Sequence, residues 1–91
     1  MRTIFKYKLG VTDHQEIEFP KNSELLSAQA QGEDIFIWAM FDLEDEYRME
    51  KRKIRVIGTG HGIPQNDRLK HIGTTQMYDG KLIWHVFEVL K

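Results

Sequence analysis

The run Val-Ile-Gly-Thr-Gly-His-Gly-Ile-Pro, residues 56–64, holds the residue types in this chain that most invite chemistry. Gly58, Gly60 and Gly62 allow sharp backbone turns, and successive N–H groups in such a turn can cradle an anion. His61 adds an imidazole to the same loop. No Gly-Lys-Ser/Thr follows, so this is not the phosphate loop of nucleotide hydrolases. Nor is it a dinucleotide fingerprint, because its third glycine comes one residue early and no helix is expected to open there. The competing reading is a strand exit closed by Pro64, with Ile57 and Ile63 pinned to the core and His61 projecting from the tip. That bracketing favours a structural corner, with any ligand approaching beside the loop.

The four histidines are His14, His61, His71 and His85, and no two share the spacing of a metal-ligand pair. There is no cysteine, which removes disulfides, thiolate metal sites and thiol nucleophiles. No metal and no cofactor are expected. His85 falls in the last apolar segment, opposite Thr74 if Asp79-Gly80 forms a two-residue turn, with Gln76 beside it. The three are either a satisfied polar cluster on a half-buried face or the lining of a small polar pocket. The ligand-binding candidates are therefore Gly58, Gly60, His61, Gly62, Thr74, Gln76 and His85. No catalytic residue is nominated. Ser23 and Ser27 lack the context of an activated nucleophile, and Asp-Leu-Glu-Asp-Glu at 42–46 reads as a solvated acidic loop.

Lys51, Arg52, Lys53 and Arg55 form a basic patch that could grip a nucleic-acid backbone, as small β-barrels do. The acidic block just upstream argues against it. Charge complementarity between the two blocks, within or between copies, is an equal alternative. Thirteen basic and 14 acidic residues leave a net charge of −1, so nothing global attracts nucleic acid or an anionic membrane.

Positioning these residues falls to β structure. Ninety-one residues, 41% of them hydrophobic and 11% aromatic, suit a single domain, 1–91, with a modest core. In Thr-Ile-Phe-Lys-Tyr-Lys-Leu, Phe5, Tyr7 and Leu9 share one face of a strand. Ile17 and Phe19 do the same before Pro20. Residues 24–41 read as a hairpin turning at Gly32-Glu33, which sets Ser27 opposite Trp38 and Ala28 opposite Ile37. Its second strand is apolar on both faces. Trp38, with Phe36 and Met40, is core by default in so small a domain, and the face of Ile35, Ile37 and Ala39 then also needs cover. Self-association is the expected answer. Leu43 and Tyr47 share the spacing of one helical turn, which would let Glu44 pair with Arg48, and a long hairpin tip is the alternative. The parity of Tyr47 and Met49 clashes with that of Ile54 and Val56, so a continuous strand would need a bulge, and the favoured reading is a loop followed by a strand from about Lys53 to Ile57. Asn66 can cap one helical turn with Asp67 near its start. The last hairpin, turning at Asp79-Gly80, sets Tyr78 opposite Lys81, Gln76 opposite Ile83, Thr74 opposite His85 and Ile72 opposite Phe87. The sum is an all-β domain of about seven short antiparallel strands, as a small sandwich or partly open barrel.

The segments Tyr7-Lys8-Leu9, Gly58–Pro64, Ile72–Gln76 and His85–Glu88 resemble a family of small uncharacterised proteins of tailed bacteriophages and prophages, and the resemblance covers essentially the whole chain. It implies a phage origin and a small β domain but no reaction. The resulting expectation is a non-catalytic binding protein acting on host machinery, for instance a host-defence inhibitor that binds a protein complex or sequesters a nucleotide-type small molecule. The alternatives are a nucleic-acid-binding accessory protein using Lys51–Arg55, and a small metal- or phosphate-dependent hydrolase using His61 and His85. The N-terminus is not a signal peptide, and the longest apolar run, Ile35–Phe41, is too short to cross a bilayer. The expected setting is the cytoplasm of the infected host, as a homodimer or higher oligomer, without membrane contact.

Overall fold

The computed structural model describes residues 1–90. The period-two patterning is expressed as seven antiparallel strands: β1 (Arg2–Leu9), β2 (His14–Pro20), β3 (Glu24–Gln31), β4 (Asp34–Asp42), β5 (Met49–Gly58), β6 (Leu69–Met77) and β7 (Leu82–Val89). They form two sheets, ordered β1-β4-β3 and β2-β5-β7-β6. The domain is all-β, an open two-sheet arrangement and not a closed barrel. No helix among the described residues is long and apolar enough to cross a membrane.

Leu9, Ala28, Ile35, Ile37 and Ala39 from the first sheet meet Phe19, Ile54, Val56, Ile72, Met77 and Val86 from the second. Each fully buried Ile, Phe or Val contributes about 1.5–3 kcal/mol of transfer free energy. Tyr7 and Phe19 bridge the sheets edge to face, with ring centroids 5.1 Å apart. The apolar β4 is thus the middle strand of its sheet, and its odd residues are the core. Phe36, Trp38 and Met40 face outward and stay half-buried, which corrects the expectation that Trp38 is core. Part of their cover is local: Phe36 and Trp38 pack edge to face, and Lys6 Nζ lies 4.4 Å from the Phe36 ring centre.

Both turns form where turn chemistry requires. Gly32 has φ +62°, and Ser27 and Ala28 lie opposite Trp38 and Ile37. Asp79 (φ 57°) and Gly80 (φ 83°) occupy the two left-handed positions of a type I′ turn, closed by Lys81 N–H donating to Tyr78 O at 3.1 Å. The resulting register places Gln76 opposite Ile83 and Thr74 opposite His85.

Three expectations are corrected. Phe87 pairs with His71, not Ile72, because a β-bulge inserts Ile72 as an extra residue. The strand expected from Lys53 begins at Met49, because β2 pairs with it without a break from His14–Arg55 to Pro20–Met49. No bulge is needed in β5, since Tyr47 lies outside the strand and Met49 is exposed. Residues 43–48 form the favoured loop, with one 3₁₀ turn at Leu43–Asp45, and Arg48 reaches Asp45 and not Glu44. Asn66 caps no helix; Asp67 N–H closes a turn onto Pro64 O, and its carboxylate is engaged by Arg55.

Candidate functional site

The outer face of the second sheet carries a chain of four polar side chains. His71 Nε2 lies 2.9 Å from Thr74 Oγ1, Thr74 Oγ1 lies 3.0 Å from His85 Nδ1, and His85 Nε2 lies 2.8 Å from Thr59 Oγ1. Thr74 and His85 meet because the Asp79-Gly80 turn makes them a cross-strand pair. Thr59 joins because Gly58 ends β5 opposite Trp84, which brings the next residue onto the His85 ring. His71 joins through the bulge. Residues three apart in a regular strand face opposite ways; the extra Ile72 turns His71 onto the face of Thr74 and sends Ile72 into the core. The His71 ring is held edge to face against Phe87, with centroids 5.3 Å apart.

Beside Thr59 lies a cleft of about 250 Å³, lined by Gly58, Thr59, His61, Gly80, Lys81, Leu82, Ile83 and Trp84. Gly58 is its floor. A Cβ there would come within 3.3 Å of both His61 Cε1 and Trp84 Cζ3, so glycine is what lets the two rings flank the backbone. His61 therefore folds back over Gly58 instead of projecting from a tip. His61 N–H donates to Gly58 O at 3.2 Å, and Gly60 (φ +90°) takes the turn position reserved for glycine. Ile57 is buried as expected, but Ile63 is 42% exposed and anchors nothing. The far end of the loop is held by charge: Arg55, itself buried, donates from Nη1 to Asp67 at 2.8 Å and from Nε and Nη2 to Asp13 at 3.1 and 3.0 Å.

Of the sequence candidates, Gly58, His61, Thr74 and His85 are brought to the cleft or the polar chain. Gln76 stands apart from the chain but touches the cleft rim, where a Cβ on Gly80 would lie 3.1 Å from its Oε1. Gly60 and Gly62 belong to the loop but not to the cleft lining. Thr59, His71, Lys81 and Trp84 were not candidates. The isolated glycine at 73, a common mark of a bulge or a close backbone approach, was the available signal for His71.

The basic patch is dispersed. Lys51 and Lys53 pair across strands with Glu18 and Glu16. Arg52 points to the opposite face, where Nη2 donates to Glu88 at 2.7 Å and Nη1 to Ser23 O at 2.6 Å. The Glu88 hydrogen bonds hold the Arg52 pKa above its ordinary value, with burial opposing. Arg55 is committed to Asp13 and Asp67. The ion-pair partners of the two arginines thus come from β7 and two loops, not from residues 42–46. A larger groove of about 610 Å³ lies along this charged region, lined by residues that include His14, Glu16, Lys53, Arg55 and Asp67. Within it Arg55 and Asp67 form an ion pair, and Glu16 stands opposite Lys53 in the strand register.

A family model matches residues 1–91 and is described as a domain of unknown function, DUF7352. The chain belongs to that family. No curated protein and no solved structure matches it. It is a small β protein whose family carries no assigned activity.

Proposed function

We propose that this is a non-catalytic binding protein of phage or prophage origin that acts on host machinery, with the Thr59–Trp84 end of the second sheet as its ligand-contacting surface. One observation carries the reading. The loop after β5 and residues 80–84 wall one cleft, and a continuous hydrogen-bonded chain from His71 through Thr74 and His85 ends at Thr59 on its edge. A polar chain of this kind on an outer face, where water would satisfy each group separately, supports a role in fixing side chains for recognition.

Binding fits this geometry better than catalysis. Thr59 and His85 form a hydroxyl–imidazole pair at 2.8 Å, the first half of a nucleophile arrangement. In a working triad the other ring nitrogen donates to a carboxylate that stabilises the imidazolium. Here it meets the neutral hydroxyl of Thr74. For a protein-binding role, the half-buried outer face of β4 with the exposed Ile4 beside it offers a second contact surface. Inhibition of a host defence, by sequestering a nucleotide signal or by covering a protein complex, is the form of this role that the phage resemblance implies.

Native mass spectrometry of the protein isolated from infected bacteria tests the reading. Wild-type protein should carry a partner or ligand in defined stoichiometry, and Thr59→Val should reduce it. A protein that comes out bare in both forms would count against the reading.

A further inference from the structure

The geometry points to the cleft beside Thr59 as a subsite for the terminal phosphate of a small molecule that also carries a flat ring, such as a nucleoside monophosphate. This names the ligand class for the binding role above and rests on it. Three residues with donor side chains line the cleft from two segments that approach it separately: Thr59 and His61 from the loop after β5, and Lys81 from the turn between β6 and β7. No carboxylate lines it. Among the described residues Lys81 makes no ion pair and the His61 ring makes no hydrogen bond, so both remain free for a ligand. A terminal phosphate offers three oxygens and a carboxylate two, and three donors match the former.

The rest of the lining, Leu82, Ile83 and Trp84, is apolar and suits a flat ring. Trp84 packs against the core and brings the Cζ3 edge of its indole to Gly58, so it is the carbon side of the ring that meets the cleft. At about 250 Å³ the cleft is smaller than pockets for drug-sized ligands, which run from about 300 Å³ upward, so it suits one phosphate and one ring rather than an oligonucleotide.

The polar chain sets the direction of the Thr59 hydroxyl. Thr74 Oγ1 has one proton and contacts two histidines, so in the neutral chain it donates to one and accepts from the other. In one direction His71 Nε2–H donates to Thr74, Thr74 donates to His85 Nδ1, and His85 Nε2–H donates to Thr59. Thr59 is then free to donate into the cleft. In the reverse direction Thr59 spends its proton on His85. A phosphate only accepts, so it selects the first direction. Thr74 is a positioning residue that acts through His85.

The test is a titration of ¹⁵N-labelled protein, followed by NMR, with adenosine monophosphate, inorganic phosphate, adenosine and acetate. Adenosine monophosphate should give saturable shifts at Thr59, His61, Lys81 and the Trp84 indole N–H, and inorganic phosphate weaker ones at the three donors. Adenosine and acetate should give none. Lys81→Ala and Thr59→Val should each weaken the monophosphate about tenfold or more, the usual loss for a hydrogen bond to a charged group. Thr74→Val should weaken it less and change the His85 ring ¹⁵N shifts that report the tautomer, and Thr74→Ser should restore both. Equal responses to adenosine and its monophosphate, equal responses to acetate and phosphate, or no saturable shift up to about 10 mM would overturn the assignment. So would unchanged affinity in a folded Lys81→Ala protein. If the assignment fails while the native mass spectrum still shows a partner lost with Thr59→Val, the ligand class is wrong and the binding role stands.

Discussion

Replacing Gly73 with alanine should unfold this domain at a much lower temperature. Gly73 lies where β6 of one sheet crosses β3 of the other, and a Cβ there would stand 2.8 Å from Ala28 N and 2.9 Å from Ala28 O. The nearer contact is closer by roughly 0.7 Å than the usual optimum of about 3.5 Å. Both obstructing atoms are backbone, so relief requires the strands to separate. Overpacking of this kind costs about 1–3 kcal/mol. Separation would also strain the bond from Ala30 N–H to Thr75 Oγ1, 2.8 Å long, which joins the same two strands. That adds about 1 kcal/mol. The expected loss is about 2–4 kcal/mol, a large share of the ~5–15 kcal/mol typical of a domain. For a chain of this size it lowers Tm on the order of 10–25 °C. Urea unfolding followed by circular dichroism measures it, with Gly62→Ala as the control. Gly62 has nothing within 4 Å of its Cβ position, so alanine there should leave stability unchanged or slightly raised. A Gly73→Ala protein within about 0.5 kcal/mol of wild type would refute the close approach of β3 and β6.

Glu88→Ala should cost about 3 kcal/mol by denaturant unfolding, because it strands the partly buried Arg52; the surviving bond to Ser23 O keeps the loss at the low end for a broken internal pair. Burial, and secondarily the Glu46 carboxylate, push the Tyr7 phenol above its ordinary range. Its contribution to stability is therefore complete below the unfolded value and is lost as pH rises through the raised one, so melts above about pH 10 should fall less steeply for Tyr7→Phe than for wild type. Asp67→Ala removes one of the two carboxylates that fix Arg55, and should speed amide hydrogen exchange across residues 60–66 while leaving the β6–β7 hairpin protected. Equal exchange rates in the loop would show that Arg55 does not tether it.

Turn positions and strand faces were legible because they depend on neighbours in sequence. Gly32 and Asp79-Gly80 supply the left-handed residues that short hairpins demand, and each turn then dictated its register, including the Thr74–His85 pair. Alternation along β1 and β2 likewise assigned Phe5, Tyr7, Leu9, Ile17 and Phe19 to inner faces, although Phe5, on an edge strand, remains 44% exposed. The two apolar faces of β4 were visible, but which of them became core was not. That depended on which side the second sheet covered.

The sequence by itself determined an all-β domain, its two hairpin turns and half of the polar chain, since each follows from local backbone preference and a period of two. Only the tertiary structure decided the rest. The β2–β5 pairing joins strands nearly thirty residues apart and sets Glu16 and Glu18 against Lys53 and Lys51. Arg55 finds Asp13 42 residues away, and Arg52 finds Glu88 36 residues away. A single bulge at Ile72 then reverses the facing of every residue before it in β6, which places His71 on Thr74 and completes the chain to Thr59. The close approach of Gly73 to Ala28 supplies a reason for that bulge: where two sheets nearly touch, the strand needs a residue without a side chain, and the extra residue, Ile72, fills the core beside it.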